Sequence, residues 1–124
     1  MTLRRLELLQ WFGFVFGGVT WFVLFVTGVG VSVAACNPAG QRWAIPYDPV
    51  QIALLTAGLL ALAAAEAAAF TLFRATHQAE EEGPPPESRM RFFAIGAMAG
   101  NAVFFVILVL SEVATIVDRA CHQA

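Results

Sequence analysis

Three long apolar stretches alternate with short polar ones along this chain. The first runs from Leu8 to Ala35 with no charged residue, the second from Val50 to Phe73 with Glu66 as its sole charge, and the third from Phe92 to Val117 with Glu112 as its sole charge. Each exceeds the roughly 20 residues that a helix needs to cross about 30 Å of hydrocarbon. In lipid a spanning segment must satisfy its backbone hydrogen bonds internally, and three segments cannot close a barrel. The pattern therefore predicts an all-α membrane protein: a single transmembrane domain over 1–124 with three helices near 7–35, 50–74 and 91–118, an outer loop at 36–49 and an inner loop at 75–90.

Composition agrees. Of 124 residues, 59% are hydrophobic and 13% charged, against roughly 45–50% and 25% in soluble domains. So short a chain cannot hide that much apolar surface in a core of its own and needs lipid or larger membrane subunits around it. A net charge of -2 offers no basic stripe for nucleic acid, and no soluble substrate is evident. Arg4 and Arg5 before the first run, and Val33-Ala34-Ala35-Cys36 at its end, resemble a lipoprotein signal. The run is about twice the 7–15 apolar residues of such a signal, which favours a retained helix.

Arginine placement orients the chain, which has no lysine. With the N-terminus inside, Arg4, Arg5, Arg74, Arg89 and Arg91 face the cytoplasm and only Arg42 and Arg119 face out. The positive-inside rule then predicts N-in, C-out; the acidic residues at 80–82 contribute little to it. Pro84-Pro85-Pro86 in the inner loop predicts a semi-rigid extended spacer. In the outer loop, Asn37-Pro38-Ala39-Gly40 signals a turn, and Trp43 and Tyr47 suit the headgroup level. Pro49 falls near the first turn of the second helix.

This topology puts Cys36 and Cys121 on the same side. Two helices running the same way end close together, and the far side of a bacterial envelope is oxidising, so a Cys36–Cys121 disulfide is expected. Cys121-His122 is not a haem-attachment motif, because Asp118 stands where the other cysteine belongs. No histidine falls inside an apolar run; His77 and His122 lie in the inner loop and outer tail. The chain alone supplies neither haem ligands within the membrane nor a metal site, although it can sit beside a haem held by a partner subunit.

Glu66 is the most informative position, set among Ala61, Ala63, Ala64, Ala65, Ala67, Ala68 and Ala69. At 1.5 Å per residue it lies roughly 6 Å to the cytoplasmic side of the midplane. Asn101 falls at a similar depth, as do Gly17, Gly18 and Thr20. A carboxyl at this depth should face protein or water, with Asn101 placed to donate to it. It reads either as a hydrogen-bonded structural contact or as a proton-handling group. Glu112 lies about 12 Å outward of its segment centre, where water or Arg42 is the expected partner.

Gly13-x-x-x-Gly17 and Gly96-x-x-x-Gly100 are small-xxx-small patterns that let helix backbones approach, against each other or against neighbours. Bulky faces flank them: Phe12, Phe14, Phe16, Trp21, Phe22 and Phe25, then Phe92, Phe93, Phe104 and Phe105, which read as lipid- or partner-facing surface. No phosphate loop, Ser-His-Asp set or metal cluster of adequate spacing is present in the sequence. The chain reads as a non-enzyme.

Trp11-Phe12-Gly13, then Gly17-Gly18-x-x-Trp21, with Cys36 just beyond the first helix and Cys121 beyond the last, resemble the layout of small membrane proteins that accompany bacterial haem–copper cytochrome oxidases and related respiratory complexes. Such proteins often carry a histidine shortly after the helix-one tryptophan, where this chain has Phe22-Val23-Leu24. The resemblance implies an accessory subunit in the electron-transport neighbourhood of the bacterial inner membrane. Two other readings stand beside it: a homo-oligomeric carrier of protons or small molecules that uses Glu66, and an assembly factor that leaves the finished complex.

Overall fold

The computed structural model describes residues 1–36, 44, 46–79, 82–117 and 121. Within them the chain is three helices, each long and apolar enough to cross a membrane: α1 (Leu3–Cys36), α2 (Tyr47–Ala75) and α3 (Glu87–Val117). Their starts lie three or four residues ahead of the expected ones. Polar first turns are tolerated because helix ends emerge into the wet headgroup region.

The helices run up, down and up. Leu72 of α2 packs with Met90 and Ala94 of α3, and Leu6 and Leu9 of α1 close over them. Toward the other end, Leu55 and Leu62 pack with Leu108, flanked by Trp21, Leu24 and Phe104. Trp21 stacks on Phe104 with ring centroids 5.4 Å apart, and Phe14 meets Phe93 edge-on at 5.2 Å. Trp21, Phe14, Phe93 and Phe104 therefore join helices of this chain instead of only facing outward as expected, because paired rings gain from stacked and edge-on contact, while Phe12, Phe16, Phe22, Phe25, Phe92 and Phe105 stay on the outer surface.

At the arginine-rich end, the Arg91 guanidinium lies 4.9 Å from the centroid of the Phe73 ring and donates to the Thr76 carbonyl at 3.0 Å. This closes the turn that follows α2. The prolines differ from expectation. They do not run on as an extended spacer: the chain turns at Pro85 and Pro86 directly into α3, and the Pro86 carbonyl accepts the Met90 N–H at 3.0 Å. Proline's fixed φ and missing N–H suit it to begin a helix, and that use prevails here. Pro46 plays the same part for α2, its carbonyl accepting the Val50 N–H at 3.2 Å, with Pro49 inside the first turn.

At the other end Cys36 and Cys121 form the expected disulfide, Cα atoms 5.2 Å apart. Ser32 and Tyr47 share a hydrogen bond of 3.0 Å beside it. Arg42, Trp43, the turn at 37–40, the acidic positions 80 and 81, Asp118, Arg119 and His122 lie outside the described residues.

Candidate functional site

Between the two leucine-rich clusters lies a layer of small and polar residues, and its makeup follows from how closely the helices approach. Gly13 is buried against Ala69: a Cβ placed on it would meet the Ala69 backbone nitrogen at 3.1 Å. Gly17 is buried against Asn101, whose Oδ1 occupies the space that a Gly17 side chain would need. The Gly13-x-x-x-Gly17 pattern thus faces α2 and α3, as expected.

The second pattern behaves differently. A Cβ at Gly96 or at Gly100 would meet nothing within 4 Å. Both glycines sit on the side of α3 turned away from α1 and α2, so they mediate no helix contact within this chain. Two glycines that the spacing rule passed over do pack: Gly58, where a Cβ would overlap Leu24, and Gly28, where it would come 3.0 Å from Gln51 Nε2. Gly28-x-x-x-Ser32 is itself a small-xxx-small pattern and could have been found. Nothing in the neighbourhood of Gly58 marks it.

Asn101 is 3% exposed. Its Nδ2 donates to the Gly13 carbonyl at 3.0 Å, and Gly13 belongs to a π-helical segment, Phe12–Phe16, set into α1. Such a segment breaks the regular hydrogen-bond register, which frees a carbonyl to serve another donor. Asn101 is thus engaged with the first helix, a partner that the depth count did not name, and also bonds the Glu66 side chain, the partner that it did. The layer itself was legible: Glu66 and Asn101 line one cavity of about 440 Å³ between α2 and α3, together with Leu62, Ala63, Ala102, Phe105 and Val106. Glu66 Oε2 is buried there and has no hydrogen-bond partner.

Glu112 keeps a partly exposed setting and gains a partner in the chain: Thr56 Oγ1 donates to Glu112 Oε1 at 3.1 Å, tying α2 to α3 outward of the Glu66 layer. Among the described residues, no group of three or more His, Cys, Asp or Glu side chains stands close enough to hold a metal ion.

The arrangement offers one carboxyl, one committed carboxamide and an apolar groove at mid-span. Chemically it can accept or hold a proton and bind a hydrogen-bond donor. No family model, no curated protein and no solved structure matches this chain.

Proposed function

We propose that this chain is a non-catalytic accessory subunit of a multi-subunit, energy-converting complex of the bacterial inner membrane, and that it works by packing its helices against larger subunits. One observation carries the reading: small side chains predominate on the outward face of α2. Ala53, Ala57, Ala63, Ala64 and Ala67 are exposed, with Thr56 and Thr71 among them and Leu60 and Phe70 as the bulky exceptions. The outward face of α1 carries mostly bulky groups, including Phe22, Phe25 and Val29, and that of α3 sets Phe92, Val103 and Leu110 around Gly96 and Gly100. Without a hydrophobic drive between helices in lipid, association depends on close backbone approach, which small residues permit. A bulky face gains as much from lipid as from protein. The alanine face is accordingly where a neighbouring subunit's helix docks.

The respiratory assignment rests on the residues of α1 that resemble oxidase-associated proteins, Trp11 to Gly13 and Gly17 to Trp21, with the flanking Cys36 and Cys121. In that setting the chain binds no cofactor of its own and lies beside a haem-bearing partner. A second reading, a homo-oligomeric carrier, is favoured by Glu66 Oε2, an oxygen near mid-span with no hydrogen-bond partner among the described residues.

Isolation of the tagged protein from native membranes in mild detergent tests both, with mass spectrometry of co-purifying chains and a reduced-minus-oxidised spectrum of the same sample. The accessory reading expects stoichiometric larger subunits with cytochrome bands, and loss of both when Ala64→Phe blocks the α2 face. A haem-free homo-oligomer would overturn it in favour of the carrier. Association with precursors alone would mark an assembly factor.

A further inference from the structure

Bundle packing leaves a groove between α2 and α3 that this chain's side chains do not fill. Its volume of about 440 Å³ is within the roughly 300–1,000 Å³ of small-molecule sites, which are mostly apolar with a few placed polar groups and recur between helices of bundles. Ala63, Ala102, Phe105 and Val106 line it and are exposed on the outer surface of the bundle. The groove therefore opens sideways, toward whatever surrounds the helices.

The polar lining is unevenly satisfied. Asn101 spends an amide hydrogen on Gly13. Glu66 has a buried Oε2 with no partner. A polar group shut from water without a hydrogen bond is costly, and more so at mid-membrane, where no solvent compensates. Asn101 serves the Glu66 side chain from one wall of the groove, and a donor for the remaining oxygen, Oε2, can arrive through the groove. The terminal torsion of a glutamate is soft, so either oxygen can turn to meet it.

We propose that this groove is a binding site, entered from the lipid, for an apolar molecule that carries a single hydrogen-bond donor. The donor, a hydroxyl or amine, pairs with the Glu66 carboxyl, and the apolar body lies against Ala63, Ala102 and Phe105. The site is built from this chain's own residues and shares Ala63 with the alanine face proposed above for a neighbouring helix.

A matched pair of photoreactive probes tests the site: a diazirine-bearing octanol and its methyl ether, identical in body but with and without the donor. Each is added to the protein in its native membranes and in lipid nanodiscs, and labelled positions are mapped by mass spectrometry. The alcohol is expected to label the segments around Ala63 and around Ala102–Val106 saturably, and the ether ~10-fold less, the discrimination that a hydrogen bond of about 1.4 kcal/mol confers. Glu66→Leu should bring alcohol labelling down to the ether level. Ala102→Phe should fill the groove and abolish labelling by both probes while leaving Glu66 in place. Formation of the Cys36–Cys121 disulfide in each variant reports that the fold is kept. Equal labelling by alcohol and ether, or alcohol labelling spread over the outward faces of all three helices, would overturn the site. A groove that stays unlabelled while its rim reacts would overturn it too, and would assign the cavity to a docked helix.

Discussion

Asn101 Nδ2 lies 3.0 Å from the carbonyl oxygen of Gly13, and 88 residues of chain separate the two. This bond joins the first helix to the last near mid-span, between the two leucine-rich clusters. It depends on three local features together: the π-helical turn that contains Gly13, the missing side chain at Gly17 that leaves room for Asn101 Oδ1, and the close approach of Ala69.

Asn101→Ala should therefore destabilise the bundle by about 1–2 kcal/mol, the range that model peptides give for interhelical hydrogen bonds in membranes. Asn101→Asp should cost more, because it sets acceptor oxygens against the Gly13 carbonyl acceptor. Denaturant titration of the protein in bicelles measures both. An Asn101→Ala protein as stable as the parent would show that the bond is replaced by other partners.

The two glycine pairs make a sharper comparison. Gly17→Ala drives a methyl into Asn101 Oδ1, and overpacking of this kind costs about 1–3 kcal/mol. Gly96→Ala and Gly100→Ala meet open space and should leave the isolated chain unchanged or slightly more stable, by up to about 1 kcal/mol from helix propensity. Unfolding of the isolated chain separates the pairs. Equal losses at Gly17 and Gly96 would contradict the rotational setting of α3.

That setting marks the limit of what the amino-acid sequence reveals. Three apolar runs of more than 20 residues, none with more than one charge, admit one spanning form, so the helices were legible. The topology then brought Cys36 to Cys121, and rise per residue alone brought Glu66 and Asn101 to one layer. Rotation about each axis was not legible, because a segment that is apolar all round has no contrasting polar face to orient it. Gly13-x-x-x-Gly17 and Gly96-x-x-x-Gly100 are equivalent as patterns, yet only the first points inward. The same ambiguity hid Thr56 as the partner of Glu112, and Gly13 as the partner of Asn101.

Thr56 and Glu112 offer a pairwise test of the α2–α3 contact. Thr56→Val keeps the shape and removes the donor; Glu112→Leu removes the acceptor. The double-mutant cycle should yield a coupling of about 0.6–1.7 kcal/mol, as interhelical hydrogen bonds in lipid do. Additive single losses, with no coupling, would mean that the 3.1 Å bond is exchanged freely for water at this depth.

The disulfide should contribute less than its span suggests. Cys36 and Cys121 are 85 residues apart, and for a soluble chain the loop-entropy model assigns a link of that length about 4–5 kcal/mol. That figure supposes an unfolded state free to explore space. A membrane chain loses its tertiary contacts while its helices remain inserted, so the ends of α1 and α3 stay on one side of the bilayer and in one plane. The entropy left for the bond to remove is correspondingly smaller. Paired Cys36→Ser and Cys121→Ser substitution should lower stability in bicelles by well under the soluble estimate of about 4 kcal/mol, and reduction of the parent protein should give the same loss. A loss equal to the full soluble value would show that the helices leave the membrane on unfolding. No loss at all would show that the ends are held together by other contacts, with the Ser32–Tyr47 bond at 3.0 Å the first to remove.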